Sequence, residues 1–422
     1  MSRRIYDYYG PPRVCHEGHV YYNADVMREE YALPQFEERD RTAAGIEDPL
    51  DVIVSGGSMG GLFAAIAMKQ AGHNVDVYER TERGKMKDRG AGIIAHPEML
   101  SYLEEQGIAD WDEVATFTNR IQHLDRDGSP LDTEGLAVYT TSWDTVYRSL
   151  RSAVPDDEYH MGKAVVGVEQ EGGTVTARFE DGSEATGDLF VAAEGYRSST
   201  REQFLPDREP EYAGYVAYRG TVPESELPAR YETRFGDIYN LYHAPDSQIL
   251  TYPVPGPDAE VERGERRINW VWYYPFEEGE ELDELLLDNQ GTQRSHSLPP
   301  GLMRDSVRED QIAIAEDILP EQLAWLVAHT PEPFVQCIYD LTIPRMVFDR
   351  VCILGDAAFF IRPHMAAGTA HAAADALTLA ESIYHEDDLD EALAAWENSQ
   401  VEMGYRLVEE ASRRGDRYTG QF

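Results

Sequence analysis

Three carboxylates in this 422-residue chain follow short apolar runs and stand close to glycines: Glu79, Glu194 and Asp356. The first closes the stretch "DVIVSGGSMGGLFAAIAMKQAGHNVDVYER", Asp51 to Arg80. Residues of these types in this order can cradle a pyrophosphate. A glycine-rich turn between strand and helix lets backbone N–H groups and the helix N-terminus face phosphate oxygens. Gly56 makes the tight turn, Gly57 continues it, and Gly61 lets the helix pack on the strand. Ser58 stands where the usual fingerprint has its second glycine. It is small, and its hydroxyl can donate to a phosphate; Met59 belongs to the same turn. Glu79 ends the second strand, about where a carboxylate meets ribose hydroxyls, with Arg80 beside it. A carboxylate there suits an unphosphorylated ribose, so FAD or NAD rather than NADP. The competing reading is a close-packed helix of small residues, and the full strand–turn–helix–strand–acid context favours the dinucleotide.

Two further segments repeat the acid-after-strand pattern. In "LFVAAEGYRSSTRE", Leu189 to Glu202, a buried strand ends in Glu194-Gly195, followed by Arg197 and Arg201. In "RVCILGDAAFFIRPHMAAGTAHAAADALTLAESI", Arg350 to Ile383, another ends in Gly355-Asp356. A loop with Pro363 comes next, and Gly368 then opens a helix of small residues. Both place an acid at the carboxyl end of a parallel strand, where open sheets bind ligands.

The elements that must position these groups are legible in outline. Residues 51–79 form one βαβ unit, which requires a parallel sheet. Later strands are expected at "GTVTARFEDGS", a hairpin around Asp181-Gly182, and at "GDLFVAAEG", "AYRGTV", "RINWVWYYP" and "RVCILGD". Helices are expected over 97–106, 145–153, 311–328, 370–385 and 389–413. Strands with alternating aromatics between about 212 and 275 read as a separate sheet. Residues 1–49 are rich in Tyr, Arg and Glu and lack apolar periodicity. They read as an arm wrapping the body or a neighbouring subunit, with a disordered leader as the alternative.

Composition bounds the rest. The length suits about two domains. There are 78 acidic residues against 37 basic ones, a net charge of −41. Such a field repels nucleic acid and anionic membranes, so neither is expected as a partner. Lysine occurs only at Lys69, Lys85, Lys87 and Lys163. Diffuse acidity with scarce lysine fits a high-salt, halophilic cytoplasm, where screening tolerates the self-repulsion, with a merely acidic mesophilic protein as the alternative. No run of 18 apolar residues and no secretory leader is seen, so a cytoplasmic location is expected. Cys15, Cys337 and Cys352 are too sparse for a disulfide framework. Cys15, His16 and His19 lack a nearby fourth ligand, and no metal is expected.

Taken together, the three segments resemble the three-motif signature of the flavoprotein aromatic hydroxylases, the p-hydroxybenzoate hydroxylase fold. The glycine-rich motif corresponds to Gly56–Gly61, the "DG" motif to Glu194-Gly195, and the "GD" motif to Gly355-Asp356. Within that family "GGSMGGL", "AGYVAYRG", "YPVPG", "NWVWYY" and "GDAAFFIRPHMAAG" are most similar to the hydroxylases of dihydroxypyridine and related N-heterocycles, over roughly residues 50 to 415. The resemblance implies an α/β fold: a Rossmann-like FAD-binding domain with an interleaved mixed β-sheet substrate domain. The FAD-binding domain would span 50–211 and 341–385, the substrate sheet 212–340 and a C-terminal helix 386–422. It also implies that the nucleotide is FAD, with NAD(P)H as a transient co-substrate that needs no second glycine-rich motif.

By the same resemblance Glu79 binds the adenosine ribose, and Asp356 contacts the ribityl chain or pyrophosphate. Arg89, Gly90, Ala91, Gly92 and Ile93 pass near the isoalloxazine. The loop through Pro363, His364, Ala367, Gly368 and Thr369 faces the flavin pyrimidine, where a positive helix end stabilises the anionic reduced flavin. Three positions depart from the pattern: Ser58 replaces a glycine, as in the similar pyridine hydroxylases, Glu194 replaces the usual Asp, and Trp143 stands where many relatives place a flavin-binding Arg. The implied reaction reduces FAD with NAD(P)H, forms a C4a-hydroperoxide with O2, and transfers its terminal oxygen to an electron-rich ring. The protein's share is position, electrostatics and exclusion of water. His364 could orient the substrate or exchange a proton with its hydroxyl; a histidine bonded only to its own loop is the alternative. Tyr215, Tyr218, Arg219, Tyr252, Trp270 and Trp272 offer walls for a planar ring, though strand alternation turns about half of them away. Arg219, pairing with a ring oxyanion or carboxylate, and Tyr252 are the expected substrate-contacting residues, with ordinary sheet packing as the alternative. A reductase of isoprenoid double bonds, geranylgeranyl reductase-like, is the second reading, and a flavin-binding protein without turnover the third. Homodimerisation through the arm is a further expectation.

Overall fold

The computed structural model describes residues 15–16, 19–20, 49–83 and 91–418. The expected arm lies outside them, apart from a short antiparallel pair, Cys15–His16 with His19–Val20. Arg89 and Gly90 also lie outside the described residues.

Apolar runs without alternation decide the first sheet. Every residue of Leu189–Ala192 and Val351–Ile353 is buried, and so are the last four of Asp51–Ser55. Strands covered on both faces read as continuous apolar runs, and they pair in parallel. The six-stranded sheet runs 347–348, 351–353, 189–192, 51–55, 74–79, 159–161. Only its 347–348 edge is antiparallel. Ala192 is level with both Ser55 and Ile353. The three motif strands are therefore neighbours with their carboxyl ends aligned, and Gly56, Glu194 and Asp356 meet at one sheet edge.

Two helices close over that edge. Met59–Gln70 and Gly368–His385 cross at small residues. A Cβ on Gly60 would stand 3.4 Å from Ala372 Cβ, and one on Gly355 would stand 3.1 Å from the same atom. Close packing of small residues is what carries both helix N-termini to the carboxyl ends of the strands. The expected helix over 311–328 is instead two, Asp305–Ile318 and Glu321–His329. Pro320 divides them: it lacks the N–H a continuing helix needs, and it forces Leu319 into an extended conformation. The last helix is longer than expected, Leu389–Tyr418.

The second sheet has nine strands: 297–298, 334–340, 211–223, 267–275, 247–254, 238–244, 116–124, 130–142, 92–95. Its last three strands lie within the span 50–211 that the sequence assigns to the dinucleotide domain. Their polar alternation, as in "TFTNRIQHL", carries no glycine signature and is not distinguishable from a solvated hairpin until the parallel pairing of 238–244 with 116–124 attaches it to the sheet. Alternation sorts this sheet's faces. Tyr218, Trp270 and Trp272 pack into a core with the helices 280–286, 305–318 and 321–329. The Trp270 indole donates to Thr330 Oγ1 at 2.7 Å, so its polar end is satisfied there. Tyr215, Ala217, Tyr252 and Tyr273 belong to the opposite face. Among the described residues no helix is long and apolar enough to cross a membrane.

Candidate active site

The phosphate cradle is built where side chains cannot stand. Gly56 has φ +107°, and a Cβ on it would lie 2.2 Å from Ala193 O. A Cβ on Gly61 would lie 1.7 Å from Gly56 O. Ser58 is the N-cap of the first helix yet makes no side-chain capping bond, so its hydroxyl is available to a phosphate. Met59 turns its side chain into the core and offers only its amide. Glu79 is buried and held by two amides: Oε2 accepts from Gly57 N at 2.7 Å and Oε1 from Thr81 N at 2.8 Å. Its carboxylate is thereby presented in one orientation at the end of its strand, while Arg80 is exposed. Sequence reading missed Tyr159, whose hydroxyl donates to Gly57 O at 2.8 Å under the Arg151 guanidinium, 4.2 Å from the ring. A lone tyrosine on a three-residue edge strand carries no pattern that could have flagged it.

Glu194 differs from expectation. Oε1 accepts from Ser55 Oγ at 2.7 Å and Thr200 Oγ1 at 2.9 Å; Oε2 accepts from Ser198 Oγ at 2.6 Å and Thr200 N at 3.0 Å. These four bonds use the carboxylate to tie two strand ends to the helix Ser199–Phe204, so its role here is architectural. Gly195 beside it turns with φ +73°. Arg201 is buried and donates to the carbonyls of Tyr196, Arg208 and Ala357, joining this turn to the Gly355-Asp356 loop. Glu194→Gln turns one acceptor oxygen into a donor facing donors. It is expected to cost about 1–3 kcal/mol of stability, read by thermal unfolding, with the FAD affinity of the folded variant within a few-fold of the parent.

Asp356 lies under the second helix, 3.8 Å from where a Gly368 Cβ would be. Desolvation and the neighbouring Asp375 carboxylate push its pKa up to about 6. Asp375 in turn accepts from Gly355 N at 2.9 Å and fixes the turn. The following loop makes one 3-10 turn, Pro363–Met365, then Ala366 at φ +52°, before Gly368 starts the 18-residue helix. His96 Nε2 lies 3.0 Å from Ala366 O and holds that left-handed residue. Ala367 is the buried N-cap, and Gly368 and Thr369 open the first turn, with backbone N–H groups that an α-helix leaves without intrahelical partners.

Opposite this loop stands the aromatic sheet face. Tyr215 Oη is 2.8 Å from His364 Nε2, and the Tyr273 ring is 4.2 Å from the imidazole. Tyr252 stacks on Tyr239 at 5.3 Å, and burial pushes its hydroxyl up to about 12. Burial, aided by the Arg362 charge, pulls His364 down to about 3. Burial therefore disfavours the protonated imidazole in the folded protein. Of the six expected aromatic and basic candidates, the structure brings Tyr215, Arg219 and Tyr252 to this face and turns Tyr218, Trp270 and Trp272 away. It adds Tyr273 and Asn269, which the sequence pattern "RINWVWYYP" does not single out from their neighbours.

Arg219 is a strut. It donates to Gly92 O at 2.7 Å and to Gln336 Oε1 at 2.9 Å. Gly92 N donates to Asn269 Oδ1 at 2.9 Å, and a Cβ on Gly92 would lie 2.4 Å from Asn269 Cγ. Two side chains of the sheet thus grip one glycine of the strand expected to pass the isoalloxazine. Both bonds of Arg219 go to neutral acceptors, and no carboxylate among the described residues pairs with it.

Comparison with known proteins agrees with this geometry. Residues 212–340 match the family described as FAD binding domain-like, and residues 91–256 match flavin containing amine oxidoreductase. The chain is 34% identical over 373 residues to 2,6-dihydroxypyridine 3-monooxygenase of Paenarthrobacter nicotinovorans, covering 87% of this chain and 91% of the relative. The solved 2,6-dihydroxypyridine-3-hydroxylase of Arthrobacter nicotinovorans superposes with TM-score 0.84 at 32% identity, over 88% and 93% of the two chains. Klebsiella pneumoniae HpxO in complex with FAD and uric acid superposes with TM-score 0.73 at 25% identity, over 88% and 89%. The fold and site define a flavoprotein of the p-hydroxybenzoate hydroxylase architecture. This chain belongs to the FAD-dependent aromatic hydroxylases, which are monooxygenases.

The residues present fit FAD. The cradle at Gly56–Gly61 leaves room only for backbone, as a pyrophosphate requires. Glu79 is fixed for a ribose. The desolvated Asp356 has no cationic partner among the described residues and suits a polyol chain. The N-terminal amides of Gly368–His385 suit an electron-rich ring edge.

Proposed function

We propose that the protein is a single-component monooxygenase that hydroxylates an electron-rich N-heteroaromatic or phenol-like ring, with NAD(P)H and O2 as co-substrates. The observation that supports it most directly is the tyrosine-lined sheet face, with Arg219 and neutral His364, set against the loop that runs from Pro363 to Gly368. FAD, when bound, supplies the redox chemistry: it accepts reducing equivalents and activates O2 for transfer of one oxygen atom to the ring. It is held without a covalent link, by the cradle, Glu79 and Asp356.

The chain's residues do the rest. Tyr252, Tyr273 and Tyr215 wall a flat substrate and keep water from it. Arg219 supplies positive charge in a protein of net charge −41, so an anionic ring oxygen is favoured there over a neutral one. Its bonds to Gly92 and Gln336 leave it to act by charge as well as by contact. His364, uncharged, offers hydrogen bonds to a ring hydroxyl without placing a second cation beside Arg219. The proposal extends the substrate class named for the pyridine and urate relatives to this chain, and those relatives favour it over the reductase reading, which keeps the same fold.

The test is NAD(P)H oxidation by protein purified in molar salt, with and without hydroxypyridines, hydroxynicotinates, urate and simple phenols. Strong stimulation by one ring, with a product heavier by one oxygen, is expected. A product heavier by two hydrogens would replace this reading with the reductase.

A further inference from the structure

The end of the C-terminal helix reaches the substrate side of the flavin loop. Arg362 is buried and directly precedes that loop. Its Nε and Nη2 donate to the two oxygens of Asp340 at 2.8 and 2.6 Å, and its Nη1 to Asp416 at 2.6 Å. Asp340 ends the strand Phe334–Asp340, whereas Asp416 lies in the last turn of Leu389–Tyr418. Ser412, one helical turn earlier, also donates to Asp340 at 3.0 Å. Between them comes Gly415. A Cβ there would lie 2.6 Å from Tyr215 Oη and 2.9 Å from Arg362 Nη1, so the helix backbone packs directly behind the tyrosine that meets His364. The Arg362 guanidinium lies 5.6 Å from the centre of the Tyr215 ring.

We propose that Asp416 and Gly415 are positioning residues of the active site: through Arg362 and Tyr215 the helix end latches the His364 loop in register with the sheet face. Arg362 only donates. Facing the Tyr215 hydroxyl, it leaves that hydroxyl to give its proton to His364 Nε2, and the neutral imidazole then carries its own proton on Nδ1. The latch therefore sets both where the imidazole sits and which of its nitrogens can donate. Asp340 holds the guanidinium in a bidentate pair of fixed geometry, and Asp416 takes the remaining nitrogen, tying that fixed group to the helix end. In its kinetic arm the inference rests on the hydroxylase reading; its structural arm does not.

The experiment compares holoenzyme carrying Asp416→Ala, Asp416→Glu and Gly415→Ala with a control, Glu410→Ala. Among the described residues Glu410 accepts from Arg413 and Arg414 of its own helix. Two properties are read: amide exchange of residues 364–369, and the fraction of NAD(P)H oxidised that ends as hydroxylated product. Asp416→Ala and Gly415→Ala are expected to raise exchange about ten-fold and to lower the product fraction several-fold. Asp416→Glu should restore both, and the control should change neither. Unchanged exchange overturns the latch. Faster exchange with an unchanged product fraction also overturns it, leaving only a docking contact. If the parent hydroxylates no ring, the hydroxylase reading fails separately, and exchange with the visible circular dichroism of bound FAD still decides the latch.

Discussion

Gly61→Ala is expected to purify colourless. The added methyl group would lie 1.7 Å from Gly56 O, inside a backbone contact that no rotamer change relieves. Either the first helix withdraws from its strand or the turn moves off the phosphate position. Both remove backbone N–H groups from the pyrophosphate. A loss of FAD affinity of at least about 100-fold follows, roughly 2.7 kcal/mol or more. The ratio of flavin to protein absorbance after gel filtration in molar salt measures it, with far-ultraviolet circular dichroism showing that the variant is folded. A stoichiometrically yellow Gly61→Ala would mean the dinucleotide is bound elsewhere.

His364→Ala should stay yellow and lose about 100-fold in kcat/KM, roughly 2.7 kcal/mol of transition-state stabilisation. The pH dependence separates its role from that of a titrating base. With the folded-state value down near 3, the parent's kcat/KM should show no break from this group between pH 5 and 9. A break that disappears in the variant would restore the titrating role. Stability gives the complementary sign. The unfolded chain binds a proton at His364 below about pH 6.5 while the folded chain does not, so stability is fully present above 6.5 and falls as pH drops towards 3. The slope is at most about 1.4 kcal/mol per pH unit. His364→Gln should remove it, narrowing the parent's advantage between pH 6 and pH 4 in chemical denaturation.

What the sequence reveals and what it conceals have the same physical origin. The turn at Gly56 and Gly61 is legible because its backbone conformation and close approach admit only a few residue types at fixed spacing. The parallel strands are legible because burial on both faces leaves unbroken apolar runs. Glu194 is legible as a residue but not in its role: Ser198 and Thr200 lie only 4 and 6 positions away, but nothing in that spacing shows that they turn back onto the carboxylate, and Ser55 is 139 positions distant. Tyr218 and Tyr215 look alike in "AGYVAYRG", and only the helices packed behind one face decide which of them is lost to a core. Arg219 stands on the expected face, yet its grip on Gly92 joins residues 127 positions apart and leaves no local trace. The charge on His364 depends on burial that composition does not encode.

The strands 92–95, 116–124 and 130–142 sit in the chain before the dinucleotide strand 189–192 but belong to the nine-stranded sheet. That ordering makes the substrate half non-modular in inheritance. A chimera that imports residues 212–340 from a relative brings six strands to a sheet of nine and leaves Gly92 to meet a foreign arginine and asparagine. To exchange the nine-stranded sheet whole between such enzymes, two separated segments, 91–142 and 211–340, must move as a pair.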